Sequence, residues 1–326
     1  MMLSNNEWDK LNTVIVGIAD DACIPNLDNS LRLVNYADKE RVEDIPQGYY
    51  PQQVVDEANE DLDNFANFLQ SEGVNVLRPD KSYKPKYYNY CPRDTVFVTD
   101  NLILATPTPL EARTSEYLSM LDHLNVYGEV TVAPEPNRNV LYNKNCIGNP
   151  DILALNETEP CFDAANILRA NDDIYYLVSN SGNEIGAKYL QNLLPNKKIH
   201  VIKDVYSYMH LDSTIAFLRE GLMLVNPSRI KSKDQLPKSL QNWDIIFSPE
   251  PVDIGHYQGY CNASPWVNVN LFSINPNLCV VEEHQLNLAR ELEKHYIDVK
   301  LLPMRHSRTL GGCFHCVTLD IVREQS

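Results

Sequence analysis

One pattern of short elements recurs along this 326-residue chain, and it restricts the fold more than any other feature. Two apolar runs rich in β-branched residues flank a tight polar turn, which predicts a β-hairpin. Four hairpins are predicted in this way, at 95–98 with 102–105, 166–169 with 174–178, 213–218 with 222–225, and 267–272 with 278–281. Strands at 13–16 and 317–322 are predicted to pair as a fifth hairpin, although they lie at opposite ends of the chain.

Helices and further strands follow some of these hairpins. Apolar residues at helical spacing predict helices over 53–71, 184–194 and 285–295, with strands next at 74–77, 199–202 and 299–302. The unit is therefore strand, strand, helix, strand. About five such units arranged radially would hide most sheet edges, as propellers do, whereas a plain α/β sandwich is the competing fold. No low-complexity tract or Pro/Ser-rich linker divides the sequence, so residues 1–326 are interpreted as one domain.

Composition narrows the classes of partner. Hydrophobic residues make up 44% of the chain and charged residues 22%, which is typical of a globular protein. A formal net charge of -16 disfavours nucleic acid and anionic membranes as partners, because both would be repelled. Neither a long apolar run nor the layout of a signal peptide is present, and the eight scattered cysteines are not typical of a disulfide framework. We therefore expect a cytoplasmic protein.

The motif Gly311-Gly-Cys-Phe-His-Cys316 near the C-terminus has three interpretations. Cys316 could be a nucleophile, or Cys313 and Cys316 could form a metal knuckle or a redox pair. A zinc site would need two more ligands at characteristic spacing, and the sequence has no second Cys-x-x-Cys pair. A redox motif normally opens a helix, whereas this one leads into a predicted strand. The nucleophile is favoured, with Cys313 a bystander and a reversible Cys313–Cys316 disulfide left open.

Polar side chains collect just before each predicted hairpin. Taken singly, an aspartate before a strand is usually a turn former, and a lone histidine is usually structural. Their recurrence at equivalent places in every unit instead predicts one shared site. The segments concerned are 91–94, 161–166, 209–213, 262–266 and 311–316.

These segments resemble the amidinotransferases of the guanidino-group-modifying superfamily, enzymes that move an amidino group from arginine to an amine. The motifs are most like those of bacterial inosamine-phosphate amidinotransferases, and glycine amidinotransferase is a more distant relative. The resemblance implies the pentein fold, a five-bladed α/β-propeller of ββαβ modules with pseudo-fivefold symmetry. The matching stretches occur in the family's order over nearly the whole chain: Asn6–Asp9, Tyr90–Asp94, Phe162–Asn166, His210–Thr214, Asn226–Arg229, Asp253–Gly255, Ser264–Trp266 and His306–Cys316.

The resemblance also implies roles for three catalytic residues. Cys316 as thiolate would attack the guanidinium carbon, leaving a covalent S-amidinocysteine. His210 would protonate the departing nitrogen and later deprotonate the incoming amine. Asp163 would orient the imidazole of His210 and stabilise its charged form.

Five further residues are expected to bind substrate by the same resemblance. A guanidinium needs carboxylates placed to accept paired hydrogen bonds, and a carboxylate suits the fork of an arginine. Asp94 and Asp212 would therefore hold the guanidinium, and Arg229 the α-carboxylate of arginine. Ser264 and Tyr88 complete the predicted set.

The resemblance thus implies an L-arginine:amine amidinotransferase that releases L-ornithine by a ping-pong mechanism. Neither a cofactor nor a metal is expected, and the relatives suggest a homodimer. A deiminase or related hydrolase with water as acceptor is the alternative within the superfamily, and an arginine sensor or metal-binding protein is the alternative outside enzymes. The acceptor stays open among glycine, an aminocyclitol, a taurine-type amine and other amines.

Overall fold

The computed structural model describes residues 3–39, 41–205 and 208–324, and its sheets repeat one topology. Within these residues there are five three-stranded sheets and one two-stranded ribbon. In each three-stranded sheet the first two strands pair antiparallel, and the third lies parallel to the second. The predicted repeat of hairpin-based α/β modules is therefore confirmed.

The elements have the following bounds. The strands are β1 (Leu11–Val16), β2 (Cys23–Ile24), β3 (Gly48–Tyr49), β4 (Asn75–Leu77), β5 (Val96–Thr99), β6 (Leu102–Ala105), β7 (Val130–Val132), β8 (Ile167–Ala170), β9 (Asp173–Leu177), β10 (Lys198–Ile202), β11 (Ile215–Arg219), β12 (Leu222–Val225), β13 (Asp244–Phe247), β14 (Phe272–Asn275), β15 (Leu278–Glu282), β16 (Asp298–Leu302) and β17 (Thr318–Arg323). The helices are α1 (Asn29–Val34), α2 (Gln52–Ser71), α3 (Leu121–Asn125), α4 (Arg138–Leu141), α5 (Glu184–Leu193), α6 (Leu286–Lys294) and α7 (Ser307–Leu310).

The five modules are numbered along the chain. Module 1 combines both ends of the described chain, because β17 pairs with β1, as predicted for the fifth hairpin. The sheets are β17-β1-β4 (module 1), β5-β6-β7 (module 2), β8-β9-β10 (module 3), β11-β12-β13 (module 4) and β14-β15-β16 (module 5). Long helices α2, α5 and α6 precede the third strand in modules 1, 3 and 5.

Modules 2 and 4 differ from the predicted pattern. Their third strands, β7 and β13, follow only short helical turns, and the sequence did not predict either strand. A run of three or four residues is too short to show a period, which explains the omission. The predicted strand at 267–272 begins only at Phe272, because Pro265–Val269 forms a 3₁₀ helix with proline in its first turn.

Helix α2 connects the fold to the C-terminal motif. Its buried face carries Phe65, whose ring meets that of Phe314 edge-on at 4.9 Å between centroids. An aromatic pair of this geometry adds about 0.5–1.5 kcal/mol to the gain from burial. The helix therefore holds the turn that carries Cys316 from behind. None of the described helices is both long and apolar enough to cross a bilayer.

A cluster of five buried charged residues, the ionic core, lies where the modules meet: Glu7, Arg93, Arg169, Asp320 and Arg323. Arg169 donates to both oxygens of Glu7 and to both oxygens of Asp320, at 2.8–2.9 Å. Arg93 and Arg323 donate to Asp320 as well, at 2.8 and 2.6 Å. Although burial alone would raise the pKa values of Glu7 and Asp320, these guanidinium charges hold both well below their usual range.

Candidate active site

A cavity of about 460 Å³ opens where the starts of the modules converge. Seven of the eight residues predicted from the sequence line it, whereas Asp163 lies behind the wall, bonded to His210. The seven are Tyr88, Asp94, His210, Asp212, Arg229, Ser264 and Cys316. The starts of modules 1, 2, 4 and 5 thus converge on one cavity, and that of module 3 lies behind its wall.

Short 3₁₀ turns before the first strands place these side chains. Asp94 ends the turn Pro92–Asp94, and Asp212 lies within Leu211–Ser213. His210, Asp163 and Ser264 each stand immediately before such a turn with extended backbone. A turn of this kind at equivalent places in successive modules aims side chains at one point, which explains the recurring polar residues.

Two glycines shape the turn that carries Cys316. Helix α7 is followed by Gly311, whose φ of 86° is in the left-handed region favoured by glycine. At Gly312 a Cβ would lie 2.7 Å from Cys91 Sγ and 2.8 Å from Cys316 Cβ, closer than real side chains approach. The Oδ1 of Asn270 then accepts the backbone N–H of Cys316 at 2.9 Å. The turn that carries Cys316 is thus held at its backbone.

The surroundings of Cys316 favour its protonated thiol over the thiolate. Its hydrogen bond with Cys91, its burial and the charge of Asp212 together raise its pKa well above the ordinary value, against the hydrogen bond with His210. The Sγ donates to Asp212 Oδ2 at 3.2 Å. A positive charge placed beside Asp212 would offset part of this effect and favour the thiolate.

His210 and Asp163 form a buried pair. The Nε2 of His210 lies 3.0 Å from Asp163 Oδ2, and Thr108 donates its hydroxyl to Asp163 Oδ1 at 2.6 Å. Burial by itself lowers the pKa of His210, but the charge of Asp94 and the bond to Asp163 outweigh burial and hold it well above the usual value. The imidazole can therefore carry a proton at neutral pH.

Asp94 and Asp212 each have one paired and one unpaired oxygen. Asp94 Oδ2 accepts from Arg113 at 2.6 Å, and Asp212 Oδ2 accepts from His315 at 2.9 Å. The Oδ1 atoms of both carboxylates are buried without a hydrogen-bond partner among the described residues, although His210 Nδ1 is 3.7 Å from that of Asp94. Buried acceptors are rarely left in this state, so the pair suits a ligand with several N–H donors.

The same two carboxylates differ in their electrostatics. Burial raises the pKa of Asp94 above its ordinary value, and the nearby Arg113 only partly offsets this. Burial also opposes the charge on Asp212, but the bond to His315 and its charge lower the pKa to about 2. Asp212 is thus readily ionised, whereas burial destabilises the ionised form of Asp94.

The remaining predicted residues stand along the wall of the cavity. Arg229 is half-buried, and its Nη1 donates to the carbonyl of Ser213 at 2.7 Å and to the hydroxyl of Thr214 at 2.8 Å. Ser264 is exposed at the rim. Tyr88 is buried, and the Arg113 guanidinium lies 4.9 Å from the centre of its ring.

Sequence reasoning missed four residues of the site: Cys91, Arg113, Asn270 and His315. Arg113 is among the largest fully buried side chains. The one sign of it in the sequence is Glu116, three residues later, to which Arg113 donates a hydrogen bond. Asn270 had no motif to mark it. Cys91 and His315 lie inside the matching stretches, three residues before Asp94 and directly before Cys316, and this closeness in the sequence was the signal that could have identified both.

Cys313 is not part of a candidate ion-binding group among the residues that the structure describes. Among the described residues, the group of His, Cys, Asp and Glu side chains close enough to share an ion is Glu282, Glu283 and His284, mostly exposed. Cys313 is a buried thiol. The thiol of Cys316 is hydrogen-bonded to that of Cys91, and a reversible Cys313–Cys316 disulfide stays a prediction.

The chain is similar in sequence to known amidinotransferases. The chain is 40% identical to inosamine-phosphate amidinotransferase 1 of Streptomyces glaucescens, over 99% of this chain and 97% of the relative. It is 31% identical to mitochondrial glycine amidinotransferase of Gallus gallus, over 98% of this chain and 82% of the relative. No family model matches the sequence.

Solved structures agree with the sequence relatives. The inosamine-phosphate amidinotransferase of Streptomyces griseus superposes with a TM-score of 0.95 at 40% identity, over 100% of this chain and 98% of that one. The dimethylarginine dimethylaminohydrolase of Pseudomonas aeruginosa shares only the α/β fold, with a TM-score of 0.65 at 14% identity, over 97% and 100% of the two chains. Given 40% identity over nearly the full length of its relatives, the chain belongs to the amidinotransferase family.

Proposed function

We propose that this protein transfers the amidino group of L-arginine to a primary amine and releases L-ornithine. The observation that carries the proposal is the pair of unpaired buried oxygens, Asp94 Oδ1 and Asp212 Oδ1, in the cavity that also contains Cys316. A guanidinium is a planar cation with five N–H donors, so it can satisfy both oxygens at once.

The first half-reaction starts with this binding. The cation offsets the charge of Asp212, which favours loss of the Cys316 proton to solvent, and only the thiolate is nucleophilic. The sulfur attacks the guanidinium carbon and forms a C–S bond. As the C–N bond to ornithine breaks, the imidazolium of His210 donates its proton to the departing nitrogen. The product is S-amidinocysteine and ornithine.

The second half-reaction reverses these roles with a different amine. Neutral His210 takes a proton from the acceptor nitrogen as that nitrogen attacks the amidino carbon. The C–S bond then breaks and restores the thiolate. The carboxylate of Asp163 keeps the His210 ring in place and stabilises its charged form in both steps. No cofactor or metal takes part in this scheme.

Arg229 and Ser264 are proposed to select the amino-acid end of the donor, and Tyr88 to act at its guanidinium end. The Arg229 guanidinium, positioned by Ser213 and Thr214, suits the α-carboxylate of arginine. Ser264 would add a hydrogen bond at the rim. Tyr88 would act through Arg113, which it helps to fix against Asp94.

Hydrolysis of arginine with water as acceptor is the alternative on the same fold. The amidinotransferase relatives at 30–40% identity favour transfer, because the hydrolase of known structure shares the fold at 14% identity. Inosamine phosphate is the first acceptor to test, since the relatives at 40% identity are named for it. An arginine sensor without turnover is the non-enzymatic alternative.

An acceptor screen tests the proposal. Purified protein is incubated with arginine and one amine at a time, from inosamine phosphate, glycine, lysine, taurine and γ-aminobutyrate, and ornithine is measured. One amine should give ornithine and the matching guanidino product in equal amounts, and Cys316→Ala should give neither. Citrulline and ammonia released from arginine without any amine would overturn transfer in favour of hydrolysis.

We further propose that residues 1–326 form one catalytic domain in which the five modules close as a five-bladed α/β-propeller. The bond from Arg323 in module 1 to the carbonyl of Ser273 in module 5, at 2.9 Å, supports closure between the last and first modules. A homodimer is proposed from the family resemblance. Light scattering coupled to size-exclusion chromatography should give twice the 37.2 kDa chain mass, and a single-chain mass would contradict the dimer.

A further inference from the structure

His315 lies between the proposed guanidinium site and the ionic core. Its Nδ1 is 2.9 Å from Asp212 Oδ2, and its Nε2 is 3.3 Å from Glu7 Oε2. The ring is 7% exposed, so water does not substitute for either contact. The proposed mechanism gives this histidine no role, although it precedes Cys316 in the chain.

Both contacts require the ring to donate. A carboxylate oxygen only accepts, so each ring nitrogen that faces one must carry a hydrogen. The ring that satisfies both contacts is the imidazolium. Glu7 is itself fixed, because Arg169 donates to both of its oxygens at 2.8 and 2.9 Å. His315 is therefore attached on one side to a rigid, charged part of the core.

The other side of the ring decides how Asp212 faces the cavity. With Oδ2 occupied by His315 and the Cys316 thiol, Oδ1 is the oxygen left without a partner among the described residues. Rotation of the carboxylate would break the bond to His315. We propose that His315 is a positioning residue that fixes Asp212 with one oxygen directed at the guanidinium of the donor. This inference rests on the proposed function, in which Asp212 binds that guanidinium.

A pair of amide substitutions separates the two contacts. In His315→Asn the amide nitrogen takes the place of Nδ1 and keeps the donor to Asp212. In His315→Gln the amide nitrogen reaches the place of Nε2 and keeps only the donor to Glu7. A structural role in packing would make the larger glutamine the better replacement. A role in positioning Asp212 predicts the reverse.

The readout is formation of the amidino adduct on Cys316 from L-arginine without acceptor, measured by quenched-flow mass spectrometry. It yields the half-saturating arginine concentration and the maximal rate separately. We expect His315→Asn to keep half-saturation within about threefold of the parent protein, and His315→Gln to raise it by on the order of tenfold to a hundredfold. Equal half-saturation in the two variants, or an effect confined to the maximal rate, would overturn the inference.

Two controls keep the outcomes distinct. His200→Gln removes another carboxylate-paired histidine, bonded to Asp173 away from the cavity, and should change neither parameter. If the parent protein forms no adduct at all, the proposed function itself fails, whereas an adduct with equal variants overturns only the role of His315.

If circular dichroism shows that the variants do not fold, the hydrogens on the ring of His315 can be measured directly in the parent protein. In parent protein labelled with ¹⁵N-histidine, the His315 signals, assigned by their loss in His315→Asn or by sequential correlation, should show hydrogens on both ring nitrogens. A ring whose Nδ1 lacks its hydrogen would contradict the donation to Asp212.

Discussion

Two sets of buried carboxylates lie in adjacent parts of this molecule and are used in opposite ways. Asp320 in the ionic core is 0% exposed, and Asp94 and Asp212 at the cavity are 2% exposed. Every carboxylate oxygen of Glu7 and Asp320 accepts hydrogen bonds from nearby side chains. Asp94 and Asp212 each keep one oxygen without a hydrogen-bond partner in the described chain.

This difference shows that burial alone does not distinguish a carboxylate that stabilises the fold from one that is suited to bind a ligand. What distinguishes them is whether the protein itself fills the acceptor sites. A buried acceptor left unfilled costs stability, and such sites persist where a ligand supplies the donor. The ionic core therefore stabilises the junction of the modules, and the cavity keeps two unpaired acceptors that suit the proposed guanidinium.

The largest expected effect comes from breaking the ionic core. Asp320→Asn would leave the guanidinium groups of Arg93, Arg169 and Arg323 short of their shared anion, which costs about 3–5 kcal/mol of unfolding free energy. The pKa of Asp320 is lower in the folded protein than in the unfolded chain. Its contribution to stability is therefore fully present above the pKa of the unfolded state, and it is lost as the pH falls through the pKa of the folded state. Urea unfolding at neutral pH measures the loss. A change below about 1 kcal/mol would contradict the structural role.

The matched change at the cavity should have the opposite sign for stability. The pKa of Asp94 is raised by burial, so its charge opposes folding at neutral pH, and Asp94→Asn should leave stability unchanged or increase it. Half-saturation by arginine should instead rise by about tenfold to a hundredfold, because a bond to a charged acceptor is lost. Urea unfolding and adduct kinetics measure the two quantities. A variant that loses stability and keeps its arginine affinity would erase the contrast between the regions.

Arg229 tests the other end of the donor. Arg229→Ala should raise half-saturation by arginine by about tenfold, since one charge-assisted contact to the α-carboxylate disappears. The decarboxylated analogue agmatine is the matched control, because it lacks the group that Arg229 is proposed to bind. An equal loss for arginine and agmatine would mean that Arg229 acts through the structure around Ser213 and not through the carboxylate.

The smallest effect concerns pH. The proposed first half-reaction needs protonated His210, so its rate should fall as the pH rises through the pKa of that residue. In Asp163→Asn the bond that helps to raise this pKa loses its charge, and the alkaline limb should move to lower pH by on the order of one unit. Thr108→Val keeps the Asp163 charge and should leave the limb nearly in place. A limb that stays fixed in Asp163→Asn would exclude His210 as the donor.

Much of this arrangement could be predicted from local patterns. The hairpins were predicted because each turn and its flanking runs are contiguous, and β17 was found to pair with β1 as expected. The seven cavity-lining residues were predicted by family resemblance and are brought together by the fold.

What the sequence did not reveal depends on long-range contacts. Strands β7 and β13 are too short to show a period, and Pro265 turns a predicted strand into a 3₁₀ helix. Arg113 and Asn270 act through partners that the fold brings together, and no spacing announces them. The pKa of Cys316 shows the same limit. It is raised by Cys91, by burial and by Asp212, and no spacing in the sequence brings these two residues to Cys316.

The central claim is that the sulfur of Cys316 carries the amidino group between two amines. The most direct test is to mix the protein with L-arginine labelled with ¹³C at the guanidinium carbon, without acceptor, and to analyse the acid-quenched peptides by mass spectrometry. The peptide that contains Cys316 should gain the mass of one labelled amidino group, as ornithine appears in equal amount, and should lose it when the acceptor is added. Label found on another residue, or ornithine formed with Cys316 unmodified throughout, would contradict the claim.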